Sequence, residues 1–202
     1  MTELLPATPD GIARAVGILA ADGLVCFPTD TVYGLACLAQ SAAARERFYQ
    51  AKARDPAQPA IVMAAALAAL EPWVEFGEAG REQARRYWPG PLTLVLPATA
   101  AAVEGFGQVV LDHTLGVRIP DHQTALALLA AMAGPLATSS ANVAGAAPPR
   151  SAVEAMAEME GRVEAVIDGA CPLGLPSSIL DLTGPQPRVI REGAIPAPRL
   201  LS

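Results

Sequence analysis

At 202 residues, with 52% hydrophobic and 17% charged residues, the chain has the size of one packed domain and is too apolar for a disordered one. Its net charge of −6 argues against indiscriminate binding to RNA or an anionic membrane surface, so any phosphate site has to be local. The most apolar stretches, Ala60–Leu70 and Ala125–Ala133, are too short to span a bilayer, and the first residues lack the basic and apolar regions of a secretory signal, so a cytoplasmic protein is expected.

In chain order, Thr8–Asp22 reads as an amphipathic helix with Thr8 or Asp10 near its cap, followed by a short strand Leu24–Phe27. A helix over Ala42–Ala51, capped by Ser41, leads into the polar stretch Lys52–Pro59 and a buried strand Ala60–Met63. Ala65–Leu70 and Glu78–Tyr87 read as helical, and Trp88-Pro89-Gly90-Pro91 stops the second. Strands follow at Leu92–Leu96 and Gly116–Ile119, then a helix Gln123–Met132 with Asp121 as its cap. Leu136–Thr138 enters the polar turn Ser139–Gly145, a helix runs from Ser151 to about Glu160, and strands come at Val163–Ile167, Ser178–Leu182 and Arg188–Arg191. The irregular alternation predicts a mixed α/β domain, 1–202, with a twisted, largely mixed sheet and helices packed on it.

Several chemistries are poorly supported. There is no GxxxxGK[ST] loop, no GxGxxG after a first strand and no GxSxG elbow. Cys26, Cys37 and Cys171 form no CxxC pair and read as buried free thiols, and His113 and His122 fit no standard metal-binding pair and read as surface or turn residues. Lys52 is the single lysine of a chain whose other basic residues are all Arg, which singles out a site wanting a compact point charge or merely reflects coding style.

Four polar segments interrupt the apolar pattern at element ends: Pro28–Gly34, Lys52–Arg54, Ser139–Asn142 and Pro176–Ser178. Each alone is ordinary turn chemistry, but hydroxyls and cations presented by loops on a rigid scaffold also fit an anionic small-molecule site. Together with Trp88–Thr93, Gly116–Pro120, Pro176–Asp181 and Arg191-Glu192-Gly193, their order and spacing resemble the YrdC family of threonylcarbamoyl-AMP synthases, in its short bacterial form, over nearly the whole chain.

That resemblance implies an open sheet around a positively charged cavity and an enzyme that condenses L-threonine, bicarbonate and ATP to threonylcarbamoyl-AMP and pyrophosphate for tRNA modification. It implies that Lys52 and Arg54 face the nucleotide phosphates as the catalytic cations, with Thr114, Ser140, Asn142 and Arg191 completing the ATP site. Thr31, Arg118, Ser177 and Thr138 are implied in holding threonine. Mg2+ is expected with the nucleotide rather than in a protein-only site, and the product is expected to pass to a tRNA threonylcarbamoyl transferase complex. The sequence departs from longer members in carrying Met63 where they have His, from the usual continuation after Arg54 in Asp55–Pro59, and from a common second Ser at Ala144; Gln58 is therefore not expected as a nucleotide contact. The alternative is a nucleotide- or double-stranded-RNA-binding module of the same fold without synthase activity, in which Arg81, Arg85 and Arg86 offer a weak contact to RNA or tRNA.

Overall fold

The computed structural model describes residues 1–55 and 57–201; Pro56, within the polar stretch after Lys52, and Ser202 lie outside the described residues. The strands are β1 (Glu3–Leu5), β2 (Val25–Phe27), β3 (Gly34–Leu38), β4 (Ile61–Met63), β5 (Leu92–Pro97), β6 (Thr114–Arg118), β7 (Leu136–Ser140), β8 (Ala165–Ile167), β9 (Ser178–Asp181) and β10 (Arg188–Arg191). The helices are α1 (Pro9–Ala20), α2 (Ala42–Ala51), α3 (Gly77–Tyr87), α4 (Ala100–Phe106), α5 (Gln123–Ala131), α6 (Ala152–Met159) and α7 (Ala197–Leu200). All ten strands join one mixed sheet in the order β1-β8-β2-β3-β7-β4-β6-β5-β9-β10.

Four helix starts follow directly from local chemistry. The hydroxyls of Thr8, Ser41, Thr99 and Ser151 accept from the backbone N–H three residues on, satisfying donors that have no partner inside the helix. The expected cap at Asp121 is not formed: α5 begins after His122, with no side-chain cap. Ala65–Leu70 is not an α-helix but carries a single 3-10 turn at Leu67–Ala69, with no side-chain cap at its start.

The two faces of the sheet are covered unequally, and this creates the site. One face packs Cys26, Leu35, Val62, Leu94, Val117 and Leu180 under α2, α3, α4 and α6. On the other, α1 and α5 cover the β8-β2-β3 side and the first residues of β7, where Val25, Phe27, Ala36 and Leu136 meet Ile12, Leu19 and Leu128. Beyond that cover, the same face carries Thr138, Ile61 and Gly116 in register on β7, β4 and β6, and Thr93 paired with Ile179 on β5 and β9. These residues floor an open cavity.

Candidate active site

Two adjoining cavities share Arg54, Pro59, Ile61, Thr93 and Ile179. The smaller, about 200 Å³, is ringed by hydroxyls and by Arg54, Arg118 and Arg191, with no carboxylate in its lining. The larger, about 560 Å³, extends over Gly116 and Val95 toward Thr114, Val109 and Ile190. Gly116 keeps that floor low: a Cβ there would lie 2.9 Å from the Ile61 side chain.

Arg118, at the end of β6, is 2% exposed. Its Nε donates to Gly90 O at 3.0 Å, Nη1 to Thr31 Oγ1 at 2.9 Å and Nη2 to Asp30 Oδ1 at 2.5 Å. A guanidinium has five N–H donors, so two remain for a ligand carboxylate. Burial pushes its pKa down and Asp30 pushes it back up, which makes Asp30 the counter-ion that permits a cation at this depth.

Hydrogen-bond bookkeeping fixes what Thr31 can offer. Thr29 donates its hydroxyl proton to Val32 O at 2.7 Å, so across the 2.9 Å contact Thr31 must be the donor to Thr29. Having also accepted from Arg118, Thr31 keeps only lone-pair capacity. It therefore suits a ligand N–H or O–H and not a carbonyl.

Opposite, Arg191 turns back onto the loop before β9: its Nε and Nη2 donate to Ser177 O at 3.0 and 2.9 Å, and Nη2 also reaches Ser177 Oγ at 3.2 Å. Ser177 Oγ lies 2.9 Å from Thr93 Oγ1. Gly193 makes this packing possible, since a Cβ there would fall 2.2 Å from Pro176 O. Arg54 spans the boundary between the cavities, with Nη1 donating to Ser139 Oγ at 2.6 Å and Nη2 to Pro59 O at 3.1 Å, and its Nε buried without a partner among the described residues. Burial lowers the pKa of both Arg54 and Arg191, and each is further lowered or only partly relieved by its neighbours.

Of the sequence-implied residues, Thr31, Arg54, Arg118, Thr138, Ser140, Ser177 and Arg191 line the smaller cavity and Thr114 the larger. Lys52 and Asn142 do not. Lys52, 2% exposed, directs its ammonium at two backbone carbonyls, Ser140 O and, at 2.6 Å, Asn142 O, and does not line either cavity. Asn142 Nδ2 donates to Val143 O and Ala146 O, both at 2.9 Å, while its buried Oδ1 has no partner among the described residues. Gln58, set aside on sequence grounds, lines the larger cavity. Asp30, Thr29, Thr93 and Ser139 lie within the motifs Pro28–Gly34, Trp88–Thr93 and Ser139–Asn142 but had been given no individual role, because only the fold shows what they contact.

His113 lies in a tight turn and His122 precedes α5 with Nε2 3.2 Å from Ala170 O. The three cysteines are free and buried. Among the described residues no three His, Cys, Asp or Glu side chains group as a metal would require, and no helix is long and apolar enough to cross a membrane.

Residues 17–193 match the model of the Sua5/YciO/YrdC family, whose description is telomere recombination. The chain belongs to that family. Among Sua5/YciO/YrdC proteins, it is 38% identical to the threonylcarbamoyl-AMP synthase of Pyrococcus abyssi over 92% of this chain and 54% of that one, and 34% identical to that of Bacillus subtilis over 96% and 57%. The chain thus spans little more than half the length of these two relatives. The threonylcarbamoyl-AMP synthase of Chromohalobacter salexigens matches along 94% of its own length, at 39% identity over 87% of this chain. The fold superposes on P. abyssi Sua5 complexed with L-threonine with a TM-score of 0.91 and 34% identity, over 99% of this chain and 59% of that one. Escherichia coli YciO shares the fold along both full lengths, with a TM-score of 0.90 at 24% identity.

Proposed function

We propose that this chain is a threonylcarbamoyl-AMP synthase, joining L-threonine, bicarbonate and ATP in the two adjoining cavities. The observation that carries the reading is the pairing of a small arginine- and hydroxyl-lined pocket with a larger, more apolar one across Arg54. It is supported by the names of the family relatives and by the threonine complex of P. abyssi Sua5.

In this reading the threonine carboxylate takes the two free N–H groups of Arg118, and the lone pair of Thr31 accepts from the substrate amine or hydroxyl. The amine combines with bicarbonate to give an N-carboxylate and water. A carbamate oxygen then forms a bond to the α-phosphorus of ATP as the bond to the pyrophosphate oxygen breaks, giving threonylcarbamoyl-AMP and pyrophosphate. No covalent nucleophile is needed; Arg54 and Arg191 bring two anions together and neutralise charge on the leaving group. The buried pocket limits water around a carbamate that readily loses CO2.

Mg2+ would ride on phosphate oxygens and water, where it neutralises triphosphate charge. The donor set agrees: the smaller cavity offers no carboxylate, and of the two in the larger, Asp181 already holds Thr183 and Arg188 while Asp112 belongs to no cluster of metal-ligating side chains among the described residues. The adenylate would then pass to a tRNA-modifying transferase complex. An RNA-binding role gains little from α3, where Arg81 is paired to Glu71 at 2.7 Å and lies over Phe76.

The test is pyrophosphate release with ATP, bicarbonate and each amino acid in turn. The reading expects release that requires both threonine and bicarbonate. Threonine-independent release would refute the substrate assignment.

A further inference from the structure

The polar wall of the smaller cavity is the end of β7 and the turn after it, and that turn is gripped from behind by two side chains of opposite charge. Lys52 Nζ donates to Ser140 O and Asn142 O, and Lys52 O accepts from Ala144 N at 2.9 Å. From the other side, Glu158 Oε1 accepts from Val143 N at 2.8 Å. The hydroxyls this turn carries, Ser139 and Ser140, face the cavity, and Ser139 Oγ is the partner of Arg54.

Glu158 also breaks a local rule. It lies in the last turn of α6, where the helix dipole disfavours a carboxylate, and no basic residue shares that turn. A residue placed against local preference points to a role elsewhere.

We propose that Glu158 is a positioning residue of the active site: it and Lys52 form a charge-balanced clamp on residues 140–144 that sets Ser139 and Ser140 opposite Arg54. The proposal rests on the functional reading above for its effect on catalysis, but not for the clamp itself.

The charges around Lys52 give the clamp a signature. Burial and the neighbouring Arg54 lower the Lys52 ammonium to about 8, while Cys26 on β2 and Glu158 on α6 act in the opposite sense. Burial pushes the Cys26 thiol up to about 12, so at neutral pH it carries no charge. Glu158, the smaller of the two opposing influences, is then the carboxylate left to favour the charged form of Lys52.

Lys52 is the only lysine, so [13Cε]lysine labelling gives one NMR signal whose pH titration reports this residue alone. Glu158→Gln keeps an oxygen for Val143 N–H but removes the charge; Glu158→Ala removes both. Both variants are expected to lower the lysine midpoint by at least about half a unit. Only Glu158→Ala is expected to speed hydrogen exchange at the Val143 amide, by roughly tenfold or more. In turnover, Glu158→Ala should raise the KM for ATP about fivefold, and Glu158→Gln should recover it near pH 7 and lose it again above the lowered lysine midpoint. If Glu158→Ala does not fold, the lysine titration and pH profile of Glu158→Gln carry the test. An unchanged lysine midpoint, or a turnover pH profile that ignores Glu158→Gln, overturns the proposal. Should the wild type show no threonine-dependent pyrophosphate release while the lysine and exchange shifts appear, the clamp stands and the functional reading fails.

Discussion

Replacing Arg118 by Ala does more than remove the proposed ligand for threonine. Three hydrogen bonds vanish together, and Asp30, 3% exposed with Oδ2 already lacking a partner among the described residues, loses its counter-ion. Stranding one member of a buried ion pair costs roughly 3–5 kcal/mol, a large part of the roughly 5–15 kcal/mol that holds a domain together. With a urea slope of about 2 kcal/mol per M, the unfolding midpoint should fall by about 1.5–2.5 M. Removing both charges is a different perturbation, because Asp30→Ala with Arg118→Ala leaves polar partners but no buried ion. The double variant should recover at least half of the lost stability, while neither recovers threonine binding. Urea unfolding followed by circular dichroism, with threonine affinity by calorimetry, reads both quantities. A single variant within about 0.3 M of wild type, or a double variant no more stable than the single, would refute the argument that Asp30 and Arg118 support each other.

Other expectations follow from the same contacts. Arg54→Ala should weaken ATP binding at least about tenfold with a smaller loss of stability than Arg118→Ala, because the half-buried side chain makes hydrogen bonds to Ser139 and Pro59 but no buried ion pair; equilibrium nucleotide titration checks this. Gly193→Ala should raise the KM for threonine and ATP together, since its Cβ would push the Ser177 backbone that holds Arg191; unaltered kinetics would show that the loop yields at no cost. Lys52 gives opposed pH trends. The unfolded chain keeps the lysine proton up to 10.5 and the folded one only to about 8, so between those values folding releases a proton and this residue's contribution to stability rises with pH, by on the order of 3 kcal/mol in all. Activity should fall over the same range as the ammonium loses its charge and its grip on residues 140–142 weakens. Parallel urea and turnover series at pH 7–10 would show the divergence, and trends running together would contradict it.

Helices α1, α2 and α6 were legible from a hydroxyl just before the pattern, at Thr8, Ser41 and Ser151, whereas α3 and α5 were legible from their pattern and stop signals without any side-chain cap, and Thr99, which caps α4, was not read. Strands β1 and β3 escaped notice for different reasons: β1 is three residues at a sheet edge, and β3 begins at the glycine that closes a polar motif. Helices α4 and α7, of seven and four residues, are too short for periodicity to speak. Eight of the ten implied site residues line the cavities, because motif spacing encodes which loops converge on one sheet face. Spacing says nothing about side-chain direction. Lys52 caps α2 and gives two of its three ammonium N–H groups to the carbonyls of the facing turn, while Arg54, two residues on, lines the cavity.

The central claim is spatial: an amino acid and a nucleotide occupy neighbouring cavities bridged by Arg54. A crystal structure with L-threonine and a non-hydrolysable ATP analogue tests it most directly. The account predicts the threonine carboxylate on Arg118 and the triphosphate between Arg54 and Arg191; a nucleotide bound on the helix-covered face, or threonine held away from Arg118, would contradict it.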